Sequence, residues 1–328
     1  MKACLARALA LVIVAAALSL CVGRLTLSPV QLWTGAVRHH GADADTAAAL
    51  VWHVRLPRVL GALCVGAALS VSGATYQIVF RNPLVSPGLL GVLAGAGFGA
   101  ASAIVCGQHG VTVELGAVLG GMLAAGLAIL IAQLFDAESL LMLVFGGLIA
   151  TALFTALLSS LQYMADPERQ LPDIVFWLLG SLAAVTTGQI PPLLAVLMPG
   201  LVLLLAGARL LDALALGDDE ARALGIPVRA VRLGALIVAT MLSVVTVSVV
   251  GMIGWVGLVV PHLARLLVGP RAAPLLGMSA LIGGLFLLVC DDIARGATRQ
   301  EIPVGIVADL LGVAVFLALL RLRRVLWA

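Results

Sequence analysis

The sequence predicts an all-α, polytopic membrane protein with about ten transmembrane helices, and three observations carry that reading. Hydrophobic residues make up 62% of the 328 positions and the mean hydropathy is +1.18, more apolar surface than a water-soluble core absorbs. The apolar residues fall in runs of roughly 20, the length that crosses a bilayer core of about 30 Å as a helix. The runs are also continuous, where the strands of a membrane barrel would alternate apolar and polar residues.

The runs are 5–23, 58–80, 89–107, 114–134, 140–162, 190–211, 229–251, 253–267, 273–294 and 303–320. The first begins beside Lys2 and Arg7 and ends in LSLC, as a secretory signal would. Leu20 before Cys21 is too large for cleavage there, so the run reads as a retained span. The second and third contain GALCVGAALSVSGA (61–74) and GVLAGAGFGAASA (91–103), part of a total of 36 glycines. Small residues let helices approach closely where lipid provides little drive for association. They would equally suit a wide passage lined with small side chains, and glycine content does not separate the two. The eighth run is short, and the stretch 172–185 reads as a half-helix. Three joints are longer than the rest, 24–57, 163–189 and 212–228, and nothing between them breaks the chain into units. Residues 1–328 therefore read as one membrane domain.

Basic residues set the orientation. With ten crossings and the N-terminus in the cytoplasm, twelve of the nineteen basic side chains fall on the cytoplasmic side and seven on the other, the bias of a protein with both termini inside. The net charge of +3 follows from that bias and makes no case for nucleic acid as a partner. Cys4, Cys21, Cys64, Cys106 and Cys290 form no CxxC pair and read as small packing residues.

Against this background LGDDEARALGIPV (216–228) stands out, since only 11% of the chain is charged. Asp218 and Asp219 open a short helical turn, where the helix dipole favours acids, and Gly225 and Pro227 end it. Such an element is stable in water and suits presentation to a soluble partner, although a plain solvated loop would have the same composition. Lys2 is the only lysine, so the chain has no GxxxxGK[ST] nucleotide-binding loop. Any ATP-driven step needs a second protein.

Five stretches taken together resemble the permeases of ABC importers for ferric siderophores, haem and cobalamin: RLPRVLGALCVGAALSVSGATYQIVFRNPLVSPGLLG (55–91), LPDIVFWLLGSL (171–182), LGDDEARALGIPV (216–228), GMIGWVGLVVPHLARLLVGP (251–270) and EIPVGIVADLLG (301–312). The resemblance runs in family order from the second span to the last. It implies ten helices per subunit, a passage at the interface of two copies, two cytoplasmic ATPase subunits that hold the ATP and magnesium, and a periplasmic binding protein. The expected setting is the bacterial inner membrane, with alternating access and no bond chemistry or cofactor in this chain. The segment after the sixth span becomes a pair of coupling helices, with Gly217, Asp218, Asp219, Glu220, Arg222, Leu224 and Gly225 as the ATPase-coupling surface. Arg55, Arg58 and Arg295, helped by Arg299, match the basic positions that receive the binding protein. The loop Asp136–Ser139 matches the cytoplasmic gate, with Glu138 and Ser139 as its candidates.

Two departures stand out. Ser86 replaces an acid and is expected to cap the turn at Pro87. Asp309 lies inside the tenth span, where a neutral residue is usual and where a carboxylate costs roughly 2.5–3.5 kcal/mol unless it faces a cavity or partner. It is a pathway candidate or a structural hydrogen-bonding group. In an ion-coupled secondary transporter, the alternative class, it would be the ion site. His39 and His40 beside Asp43 and Asp45 are a possible metal cluster but read as a solvated loop, and His262 reads as packing or capping. Tyr76, Met142, Trp177 and Trp255 could touch cargo, with packing or interfacial anchoring as the simpler role. No nucleophile–base motif supports an intramembrane enzyme. A ferric siderophore or haem is the leading cargo, with cobalamin or molybdate/tungstate as the alternative. GWVGLVVPH and LQYMADPERQLPDIVFWLLGSL bear a slight resemblance to the oxyanion carriers.

Overall fold

A computed structural model of the chain describes residues 2–23, 49–136, 139–298 and 300–326. Thirteen α-helices run through the described residues: α1 (Lys2–Ser19), α2 (Leu56–Val79), α3 (Val92–Val105), α4 (Val111–Phe135), α5 (Leu140–Met164), α6 (Gln170–Leu179), α7 (Ile190–Ala206), α8 (Ala208–Leu216), α9 (Asp218–Ala223), α10 (Val228–Val250), α11 (Val256–Val268), α12 (Ala272–Gly296) and α13 (Val304–Leu326). Each predicted run holds a helix, but among the described residues seven helical segments are long and apolar enough to cross a membrane. The runs 5–23, 89–107 and 253–267 give the shorter α1, α3 and α11. Left-handed backbone at Gly91 (φ 77°) and Gly107 (φ 74°) stops α3 at both ends. An irregular stretch, Gly251–Trp255, delays the start of α11. The run 190–211 is divided at Gly207 into α7 and α8. The half-helix expected at 172–185 is α6.

The core is built around α2, whose span Leu50–Val79 is 83% buried. Its small residues answer the question that composition left open. A β-carbon added at Gly66 would lie 2.1 Å from the Gly283 carbonyl oxygen of α12, and one at Gly73 would lie 1.8 Å from that of Gly257 in α11. The α3–α4 pair repeats the device, with Gly95 against Gly120 and Gly99 against Gly116 at 2.3 and 2.0 Å. These glycines are contact points between backbones rather than the lining of a wide passage. Polar side chains add cross-links inside the same core. The Ser72 hydroxyl donates to the Ala239 carbonyl at 2.6 Å, Ser243 donates to Ser72 at 2.7 Å, and the Tyr76 and Thr240 hydroxyls are 2.7 Å apart. Tyr76 is therefore a packing residue of the α2–α10 contact. His262, also buried, sets its Nδ1 3.0 Å from the Leu258 carbonyl and its edge against Phe316.

A buried ionic cluster ties α1, α2 and α12 together at one end of the bundle. Arg58 Nε reaches Asp291 Oδ1 at 2.8 Å and Oδ2 at 3.0 Å, and its Nη1 reaches Glu301 at 2.8 Å. Arg295 pairs with Asp291 at 3.0 Å and with Asp292, and donates to the Ser19 hydroxyl at 2.7 Å and the Val22 carbonyl at 3.1 Å. Arg55 donates to the Leu20 carbonyl at 2.6 Å. Asp291 is completely buried between Arg58 and Arg295. Removing a partner from such a cluster strands buried charge at a cost of about 3–5 kcal/mol. Asp291→Ala is accordingly expected to lower the thermal midpoint of the purified protein steeply, and more than Asp292→Ala, whose carboxylate is 25% exposed; differential scanning fluorimetry in detergent measures both.

Candidate functional site

The opposite end of the bundle carries the charged segment as two helices set against each other. In α8, Ala208, Leu211, Ala213 and Leu214 are buried, while the Asp212 carboxylate accepts from the backbone N–H of Ala272 at 2.7 Å. That bond caps the start of α12 and fixes the segment to it. Gly217 (φ 145°, ψ 160°) turns the chain into α9. A β-carbon there would meet only the tip of the exposed Glu220 side chain, at 2.1 Å, which can swing aside, so it is the backbone conformation that favours glycine. Ala221, fully buried, pins α9. Gly225 (φ 74°) closes it, with Ile226 N–H on the Ala221 carbonyl at 3.1 Å and Gly225 N–H on that of Arg222 at 2.9 Å, a Schellman ending.

The acids divide by direction. Asp218 turns inward, 2.5 Å from Arg232 on α10 and 3.5 Å from Arg81 after α2. Burial pushes its carboxyl up, but the Arg232 hydrogen bond and the charges of Arg232, Arg81 and Arg222 outweigh this and hold it below the ordinary value. Asp219, with its side chain 94% exposed, pairs with Arg222 one turn on at 3.0 Å. Glu220, Arg222 and Leu224 are also exposed, as is Leu216 just before the turn. Sequence reasoning missed Leu216, Asp212, Arg81 and Arg232. Only the exposed leucine beside a charged segment left a signal; the other three depend on long-range packing.

At this same end Ser139 accepts from Met142 N–H at 3.3 Å and caps α5. It lines a cleft of about 40 Å³ with Gln133, Arg229 and Arg232, between the ends of α4 and α5 and the start of α10. Glu138, its partner as a gate candidate, lies outside the described residues, as do Arg299, His39, His40, Asp43 and Asp45. Ser86 occupies the expected cap position, but its side chain makes no capping bond; the Ser86 carbonyl, accepting from Leu89 N–H at 3.0 Å, closes the turn.

The basic residues expected on the receiving surface require a correction. Arg55, Arg58 and Arg295 are 4%, 6% and 5% exposed, engaged in the ionic cluster described above. Guanidinium groups that neutralise a buried carboxylate, as those of Arg58 and Arg295 do, cannot also stand in water for a partner, and that of Arg55 is held on the Leu20 carbonyl, so the three bind the bundle together and present no basic patch.

Toward the end that holds the ionic cluster, three interruptions of helix meet. The apex of α6 turns at Gly180 (φ 71°), α10 stops at Gly251 (φ 74°), and α13 starts at Val304. Ser181 N–H donates to the Val250 carbonyl at 2.8 Å and Gly305 N–H to that of Gly180 at 3.4 Å. β-Carbons at Gly180 and Gly251 would lie 2.3 and 2.2 Å from the carbonyl oxygens of Met252 and Trp177. Trp255 has φ 61°, unusual for so bulky a residue, and its ring rests edge-on against Phe316, 5.9 Å between centroids. Asp309 projects beside this junction and accepts from the Gly254 backbone N–H.

Comparison with known proteins agrees with this architecture. The FecCD transport family matches residues 11–322. The molybdate import system permease protein MolB of Haemophilus influenzae is 39% identical over 96% of this chain and 94% of its own. The cobalamin import system permease protein BtuC of Halobacterium salinarum is 38% identical over 86% and 76%. A solved structure of a metal-chelate type ABC transporter in an inward-facing conformation superposes with a TM-score of 0.89 at 36% identity, covering 98% of this chain and 99% of the other. The thirteen helices of the described residues, with seven helical segments among them long and apolar enough to span a membrane, and a family match from residue 11 to residue 322 place this chain in the FecCD transport family.

Proposed function

We propose that this chain is the membrane-spanning permease of an ATP-driven importer, working as a pair of identical subunits in a bacterial inner membrane. Two cytoplasmic ATPase subunits would drive it from below and a periplasmic binding protein would load it from above. The observation that carries this reading is the α8–α9 element: charged and exposed along α9, and bolted to α10 and α12 through Arg232 and Ala272. A soluble motor acts on a membrane protein only through such an element, and closure of the motors would push these two helices. Asp219, Glu220, Arg222 and Leu224 form the contact surface, joined by Leu216, while Gly217, Asp218 and Gly225 shape the element. In this reading the side that bears it is the cytoplasmic one, and both termini lie on it.

The cargo we favour is a metal chelate, an iron siderophore or haem, supported by the sequence resemblance and by the metal-chelate transporter that superposes on the chain. MolB, matched along nearly its whole length, favours molybdate as a second reading. Uptake by the reconstituted complex of radiolabelled ferric chelate against radiolabelled molybdate separates them. Uptake of ferric chelate alone is the expected outcome, and uptake of molybdate alone reverses the assignment.

Co-expression with candidate ATPase subunits tests the importer itself. A complex is expected whose ATPase activity Asp219→Ala/Glu220→Ala/Leu224→Ala lowers about tenfold or more without unfolding the membrane part. Gradient-driven uptake by the chain alone would instead make it a secondary transporter. The Asp218 lock has a pH signature. Because its folded pKa is depressed, its stabilisation is present above the ordinary value of 3.8 and is lost as pH falls through the lower, folded value. The thermal-midpoint gap between the native chain and Asp218→Asn is expected to hold steady from about pH 8 to 5 and to close only below 3.8.

A further inference from the structure

Asp309 raises a problem of solvation. It lies five residues, about 8 Å, inside α13, whose spanning segment is only 28% buried. Its neighbours along the helix, Ile306, Leu310 and Val313, are apolar and exposed. Asp309 is itself exposed, and among the described residues it makes no ion pair. Beside it runs the non-helical stretch Gly251–Trp255, of which Met252, Gly254 and Trp255 are partly exposed. Irregular backbone at membrane depth survives where protein or water covers it, not lipid, and a carboxylate obeys the same rule. Interrupted helices that meet around a polar group are also how membrane transporters build a solute site.

Resting on the importer reading, we infer that the Asp309 face of α13, together with the Gly251–Trp255 stretch, walls the water-filled passage and favours cargo that offers positive charge or hydrogen-bond donors over a bare oxyanion. The local construction is specific to that end. Gly254 leaves room for the carboxylate: a β-carbon there would lie 2.7 Å from Asp309 Oδ1 and 4.0 Å from Oδ2. One oxygen is thus seated on the backbone and the other is turned away from it. Gly312 lets Trp255 lie against α13, since a β-carbon at Gly312 would meet Trp255 Cβ at 2.4 Å. The positive φ of Trp255 is the strained geometry by which the chain leaves its amides beside the carboxylate. In a symmetric pair of subunits the passage would carry two such carboxylates. A dianion would meet them as repulsion, whereas a chelate with ammonium, amide or hydroxyl groups would meet acceptors.

The test places a reporter thiol at Val313, four residues on and 38% exposed, in a chain whose native cysteines are replaced. The protein is reconstituted with its ATPase partners in nanodiscs, and reaction rates are measured for a trimethylammonium and a sulfonate methanethiosulfonate of similar size. The expected result is reaction with both, the cationic reagent favoured about tenfold over its ratio with a free thiol in solution. Asp309→Asn should abolish the preference and Asp309→Glu should retain it. No reaction at Val313, and none with a thiol placed at position 309, would mean that lipid or protein covers this face, and would overturn the inference. A preference unchanged by Asp309→Asn would overturn the role of the carboxylate. Failure of the chain to co-purify with any ATPase would sink the importer reading instead and is scored on the same samples.

Discussion

Contact between backbones at glycine holds this fold together. Lipid is as apolar as leucine, so the hydrophobic effect that packs a soluble protein does not draw these helices together, and close approach has to supply the attraction. The helix α2 answers that constraint along its length, with Gly66 against α12 and Gly73 against α11. Hydroxyls at Ser72 and Tyr76 fill the gaps where α10 crosses it. Because α2 is buried on nearly every side, everything else is positioned relative to it: the ionic cluster beside its first turn and, through Arg81, the charged helices beyond its last.

The two ends of the molecule spend their charges differently. Arg58, Arg295 and Asp291 are enclosed and compensate one another, so they fix helices in place. Around α9 the charges are layered: Asp218 faces inward and holds the element to α10, while Asp219 and Glu220 face out. The same residue types in the same short segment therefore have distinct work, and orientation rather than composition separates them.

Much of this was legible in the sequence. Hydropathy located every membrane-spanning run, and the half-helix α6 was visible because its apolar stretch is too short to cross. The three short helices were overestimated because hydropathy does not register a left-handed glycine or an irregular turn that is still apolar, such as Gly251–Trp255. The charged segment announced itself by contrast with its surroundings, down to the glycines that end it. What could not be read was which arginines are inside. Arg55, Arg58 and Arg295 look interfacial by position, and only the fold reveals that all three are buried and that Asp291, more than 230 residues from Arg58, is the counter-charge of Arg58 and Arg295. Asp212 and Arg232 were silent for the same reason, since their partners are 60 and 14 residues away.

The bond between Asp212 and the first residue of α12 bears on how such proteins diverge. A segment fixed to its own host by Arg81, Arg232 and the amide of Ala272 is not a cassette that can be exchanged alone. A chimera that borrows residues 208–226 from a relative inherits the outward face that reads a new motor, but it also imports an inner face fitted to someone else's arginines. Changes of partner should therefore accumulate first at Asp219, Glu220 and Leu224, whose side chains are exposed and outside the bonds to Arg232 and Ala272.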